Sequence, residues 1–266
     1  MADRNNKKKK KKSSPVFIIL ILVCIGVMAF SGYKLFTIWN NYRAGQKEYE
    51  GLRQYTAEIV GADTAEAESA DGESLTAEPV PPIEVDFKDL QAINEDVVGW
   101  LYIGSLDISY PIMQGEDNDF YLHKSIEKEY LYAGSIFIDY HNSRDFSDYN
   151  TIVYGHNMKD QSMFGKLKLL KEQELYKEDP YVWILTPDHN YRYKMFSMFT
   201  TGATSDVYTL FYGYNEDFTS YVQQMCEQSE VALEQPTVSE ECRMITLSTC
   251  TSDGSNRFVV QAMRES

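Results

Sequence analysis

A thiol, an imidazole and a guanidinium stand in informative places in this chain. Cys250 closes the run Thr246-Leu247-Ser248-Thr249-Cys250, Arg257 follows seven positions later, and His156 lies far upstream in Tyr154-Gly155-His156-Asn157. Together they can supply a nucleophile, a proton shuttle and a fixed positive charge, the three things that acyl transfer through a thioester requires. A thiol is mostly protonated at neutral pH and its thiolate is the nucleophile, so positive charge from His156 or Arg257 would favour the reactive form. His156 would protonate a departing amine and later deprotonate an incoming one. Arg257 stays charged and offers a planar fork of donors, suited to an oxyanion or a substrate backbone.

The other histidines, His123, His141 and His189, lie in tyrosine-rich, acidic or turn contexts with no cysteine close in sequence. They are expected to be ordinary loop residues. No HExxH, CxxC or clustered Cys/His spacing occurs, so neither a metal nor any other cofactor is expected.

Each reactive residue sits where a strand gives way to a loop, or a loop to a strand. β-branched and aromatic runs bounded by turn residues predict strands over 99–103, 135–138, 151–154, 181–185, 191–199, 244–249 and 257–262. Pro187-Asp188-His189-Asn190 reads as a hairpin turn between two of them. Helical spacing is predicted over 87–94, over 164–170 with a continuation, and over 217–228. Many strands, few helices and no alternating strand–helix rhythm point to a closed or nearly closed, antiparallel-rich barrel. A loop that turns back on itself after Cys250 would bring Cys250 and Arg257 to the same end of adjacent strands.

Charge divides the chain. Of the 266 residues the first twelve carry +6, so with −15 overall the rest carries −21. A surface this acidic argues against nucleic acid as a partner, because phosphate binding needs clustered Lys and Arg. Residues 13–33 contain no charged side chain. About 20 apolar residues in a helix span a bilayer core of about 30 Å, and the basic flank at 1–12 sets the N-terminus in the cytoplasm. A cleavable signal peptide shares this pattern, with Ala29-Phe30-Ser31 as a cleavage site, and under either reading the bulk of the chain lies outside the cytoplasm. Beyond the span, 40–60 reads as a polar juxtamembrane helix carrying Tyr42, Tyr49, Leu52 and Tyr55. Residues 57–85 hold eight acidic side chains and no Lys or Arg, and read as a flexible spacer. The expected organisation is therefore a basic tail (1–12), a membrane anchor (13–33), a juxtamembrane helix and spacer (34–85) and a folded domain (86–266).

Cys24 lies in the span as a small apolar residue. Cys226 and Cys242 could pair, although two buried free thiols are the favoured expectation, since two cysteines do not make a disulfide framework.

With these residues the chain resembles the sortases, membrane-anchored cysteine transpeptidases of Gram-positive bacteria. The family's TLxTC motif matches Thr246 to Cys250, its histidine His156 and its arginine Arg257. Class B is indicated by Val97-Val98-Gly99-Trp100-Leu101, by Ile108-Ser109-Tyr110-Pro111-Ile112-Met113-Gln114-Gly115, by Ala133-Gly134-Ser135-Ile136-Phe137 and by the helix predicted over 217–228. The resemblance implies an eight-stranded sortase barrel behind a transmembrane helix and linker. It also implies cleavage of a surface protein's sorting signal after its threonine, a thioacyl intermediate on cysteine, and transfer to a cell-wall amine of peptidoglycan or its precursor. Asn118, Leu122, Ser248 and Thr249 match positions that contact the sorting peptide or precede the nucleophile. Where class B relatives often carry an acidic residue directly after the cysteine, this chain has Thr251.

Other functions stay open at this stage. A pilin lysine could serve as the acceptor. A cell-surface cysteine peptidase or amidase would share the thiol chemistry, although papain-like enzymes place Cys before His and here His156 precedes Cys250 by 94 positions. An anchored binding module would use the same Cys and His only structurally.

Overall fold

The computed structural model describes residues 15–59, 80–251 and 254–265. The basic tail, the first two positions of the predicted span, most of the acidic stretch and the loop positions Ser252 and Asp253 lie outside the described residues. The chain divides into two units, Met1–Arg43 and Ala44–Ser266.

The described part of the first unit is helix α1 (Pro15–Leu52) as far as Arg43. Proline at its start suits a position whose N–H would have no helical partner. Phe17, Leu20, Leu22, Phe30 and Trp39 are exposed along it. By length and composition it is the one helix among the described residues able to cross a membrane.

In the second unit the last turns of α1 bury Gly45, Tyr49 and Leu52, spaced to form one helix face. Tyr49 packs edge-on to Tyr110 and donates its hydroxyl to the Gly134 carbonyl. The juxtamembrane helix expected over 40–60 is therefore the end of a longer helix, and it stops at Leu52. A 3₁₀ turn (Arg53–Tyr55) follows, then strand β1 (Thr56–Glu58). β1 pairs antiparallel with β2 (Ile83–Val85). The two ends of the expected spacer are thus strands, held further by the Asp86 N–H donating to the Tyr55 carbonyl at 2.9 Å. Acidic composition concealed this pairing because only three residues on each side take part.

Helix α2 (Phe87–Ile93) is capped by Asp86, whose carboxylate accepts from the Asp89 N–H at 3.0 Å, and it buries Leu90. The barrel strands are β3 (Val97–Ile103), β4 (Ile108–Met113), β5 (Ile136–Ile138), β6 (Asn150–Tyr154), β7 (Tyr181–Leu185), β8 (Asn190–Gly202), β9 (Met244–Cys250) and β10 (Asn256–Arg264). They close in the order β10-β8-β7-β3-β4-β5-β6-β9. β4–β5 and β6–β9 are parallel and the other neighbours antiparallel, which meets the expectation of an eight-stranded, antiparallel-rich barrel. The predicted hairpin turn is present: Thr186 and His189 exchange hydrogen bonds between β7 and β8.

Two elements depart from the sequence pattern. β4 carries Pro111, which has no N–H for a ladder. It is tolerated because β4 meets β5 only at Ile112 and Met113, leaving Pro111 paired on one side. The helix expected from 164 shrinks to α3 (Leu169–Glu172). Gln161 and Met163, just before the expected start, have left-handed backbones, and within the expected stretch three-residue turns, Leu167 N–H to the Phe164 carbonyl and Leu169 N–H to the Lys166 carbonyl, replace the first helical turns.

Helix α4 (Glu216–Gln228) is capped by Asn215, which accepts from the Phe218 N–H at 3.0 Å. It buries Phe218, Tyr221, Val222 and Met225 against Met244, Val259 and Met263 of β9 and β10. Beneath it runs a fully buried polar chain. Thr246 donates to Asn150 at 2.8 Å, Gln261 donates to Thr246 and to Tyr221, and Asn150 donates to the carbonyls of Val207 and Thr209. Each bond satisfies a group that burial would otherwise penalise, and together they fasten the Asp206–Tyr208 turn to the cysteine strand. Cys24, Cys226 and Cys242 are free, as favoured from the sequence, though Cys226 and Cys242 are only half-buried.

Candidate active site

β9 and β10 run antiparallel with Cys250 directly opposite Arg257, so the loop between them returns the chain as the spacing implied. β6 lies parallel to β9 on its other side, with Tyr154 level with Ser248. Gly155 continues that ladder, its N–H donating to the Ser248 carbonyl at 3.2 Å. A Cβ at Gly155 would collide with the Ile136 and Phe164 side chains, so only glycine lets the chain leave β6 here and turn His156 towards the cysteine strand. Asn157 then ties the two segments, its amide donating to the Cys250 carbonyl at 2.8 Å.

His156, Cys250 and Arg257 line one cleft of about 650 Å³, a size typical of ligand sites. His156 is half-buried, and its Nε2 donates to the Leu122 carbonyl at 2.8 Å. That bond places a proton on Nε2 and leaves Nδ1 for proton exchange. Burial holds the imidazole below its ordinary titration range, opposed by the Leu122 carbonyl and reinforced by charge on His123.

Asn118, Leu122, Ser248 and Thr249 border the same cleft, but not alike. Leu122 supplies the carbonyl to His156. Ser248 is 2.9 Å from the Tyr208 hydroxyl. Asn118 is committed to the framework, donating to Asp139 at 2.7 Å and accepting from the Tyr140 N–H at 3.1 Å. Thr249 alternates to the face of β9 opposite Cys250 and Ser248, where its hydroxyl is buried with no hydrogen-bond partner among the described residues. It nevertheless lines the cleft beside Ser248 and Cys250.

Several residues in the wall or directly behind it carried no sequence signal. Asp139 collects hydrogen bonds from Asn118, Tyr154 and His141. Burial alone would raise its carboxyl, but these donors outweigh burial and hold it below the ordinary range. Tyr154 is pushed well up by burial and by the Asp139 charge, and Tyr208 is raised by burial, so both phenols stay protonated. They stack at 6.2 Å on the floor of the cleft. Tyr208 reaches it only through the buried chain centred on Asn150, a contact that no local pattern encodes. His123, expected to be an ordinary loop residue, lies instead against His156 with ring centroids 5.3 Å apart. No group of three or more His, Cys, Asp or Glu residues able to hold a metal occurs among the described residues.

Comparison with known proteins agrees with this geometry. The sortase domain family matches residues 101–265. Sortase B of Listeria monocytogenes is 37% identical over 251 residues, covering 91% of this chain and 94% of that protein. The crystal structure of sortase B from Bacillus anthracis in complex with AAEK1 superposes with a TM-score of 0.68 at 29% identity, covering 85% of this chain and 98% of that one. Clostridium perfringens sortase B gives a TM-score of 0.63 at 31% identity, covering 68% of this chain and 100% of that one.

Proposed function

The chain belongs to the sortase family and is a sortase-type cysteine transpeptidase, and from that premise we propose that it anchors surface proteins to the cell wall through a thioester on Cys250. The observation that carries the proposal is the shared cleft in which Cys250 and Arg257 face each other across one strand pair while His156 enters from the parallel neighbour.

The Cys250 thiol gives its proton to Nδ1 of His156, and the resulting thiolate attacks the carbonyl of the sorting signal's threonine. The C–N bond breaks, the departing amine takes a proton from His156, and the acyl group rests on sulfur. A wall amine then attacks the thioester, His156 accepts its proton, and the thiolate leaves. Arg257 stabilises the tetrahedral oxyanion or aligns the peptide backbone, a task suited to its fixed charge and fork of donors. Leu122, Ser248 and the wall built by Asn118 hold the sorting peptide. The apolar helix anchors the enzyme in the membrane with its basic tail inside and the barrel outside, where both substrates are found.

The test offers the full-length enzyme a fluorogenic sorting-signal peptide with and without a peptidoglycan-type amine. A ligated product joining the threonine carbonyl to the amine is expected, formed in preference to the hydrolysed acid. Cleavage that yields only the acid at saturating amine would overturn wall anchoring and favour a peptidase. Ligation only to a pilin-type lysine would reassign the acceptor.

A further inference from the structure

His156 is held by two contacts that come from one short turn. Leu122 gives its carbonyl to Nε2, and the next residue, His123, stacks on the imidazole face with planes 17° from parallel. The turn, Phe120–His123, is rigid for identifiable reasons. Tyr121 is fully buried, donates its hydroxyl to Asp96 at 2.6 Å and accepts from Asn94 at 2.9 Å. The Ser135 N–H closes on the Tyr121 carbonyl and the Leu131 N–H on the His123 carbonyl. Gly134 packs against the Leu122 carbonyl with a left-handed backbone, where a Cβ would collide. His123 is itself confined by Tyr132, stacked at 6.3 Å, and by Tyr130 at 6.1 Å, with its Nδ1 3.3 Å from the Tyr132 carbonyl. The turn therefore presents a flat, ionisable ring, with its outer side in solvent, to the face of His156.

We propose that His123 is a positioning residue for the proton shuttle: its stacked ring fixes the plane of His156, and its charge opposes a second proton on the pair. Two imidazolium rings at this separation repel, so charge on His123 disfavours a second proton on His156. The depression of the His156 titration, due first to burial and then to His123, accords with this arrangement. The other ionisable groups near the pair are Tyr130 and Tyr132 beside His123, Lys124 next along the chain with its ammonium over the Phe120 ring, and Tyr154, Asp206, Tyr208, Cys250 and Arg257 around the cleft.

The consequence for catalysis rests on His156 being the shuttle. The test therefore separates the imidazole pair from turnover. In the full-length Cys250→Ala protein, the His156 ring resonances are titrated by NMR with His123 intact, as His123→Phe and as His123→Ala. In the active protein, the same two His123 variants are assayed against the sorting peptide across pH. Both substitutions should move the His156 titration, and the limb of the kcat/KM profile that follows it, to higher pH. His123→Ala should lower kcat about tenfold with KM within twofold. His123→Phe, which keeps a flat ring on the stack, should recover most of that loss. An unshifted His156 titration in both variants, or a rise in KM with unchanged kcat, would overturn the proposal. Turnover surviving His156→Ala would instead remove the shuttle role while leaving the NMR result to stand or fall separately.

Discussion

Cys250→Ala is expected to abolish turnover of a sorting-signal peptide, with kcat falling at least about 10⁴-fold, because the step it removes forms the covalent bond to the acyl group. The barrel should be unaffected. Cys250 is the last residue of β9, half-buried at the cleft, and its carbonyl's bond from the Asn157 amide and its pairing with Arg257 use no atom of its own side chain. An unchanged thermal unfolding midpoint alongside lost activity is the paired result to look for. A variant retaining more than about a tenth of the wild-type rate would mean that the nucleophile is another group. Neither remaining cysteine of the barrel unit lines the cleft. Cys226 is in α4, and Cys242 accepts from the Ser239 N–H at 3.2 Å in its own loop.

Arg257→Lys should lower kcat by about 10²- to 10³-fold, the usual effect of losing an oxyanion donor, with a much smaller change in KM. Charge survives in this variant and geometry does not. A guanidinium opposite Cys250 presents several N–H donors in one plane, whereas an ammonium is a single compact charge on a flexible stem. Arg257 spends one contact on the neighbouring Asn256 carbonyl at 3.1 Å, which orients the side chain and leaves most of its donors for the substrate. Steady-state kinetics on the purified variant decide the matter. Rates within threefold of wild type would reduce Arg257 to a charged edge residue of β10.

The sequence spoke most clearly where local chemistry and local structure coincide. β7 was bounded correctly, and β3, β6, β9, β10, α2 and α4 fell within a few residues, because their apolar or aromatic runs end at turn residues. The three reactive side chains could be named because each sits at a strand end with a distinctive neighbourhood. Two kinds of feature escaped. Elements with mixed signals escape a reading by pattern: Pro111 hides β4, the paired strands β1 and β2 are too short and acidic to register, and successive three-residue turns stand in place of the helix expected near 164. Contacts made by barrel closure were also invisible. Tyr208 comes to the cleft, and Asp139 and His123 come to the residues that line it, from segments far from the cysteine motif, through Asn150, Asn118 and the Phe120–His123 turn.

The central claim is that catalysis passes through an acyl group on one sulfur. Incubating the full-length enzyme with a sorting-signal peptide whose acyl-enzyme turns over slowly, then quenching in acid and mapping the digest by mass spectrometry, tests it directly. The predicted result is a mass increase equal to the peptide fragment ending in threonine, confined to the segment containing Cys250 and released by hydroxylamine. Product formation with no such adduct, or an adduct on any other residue, would contradict it.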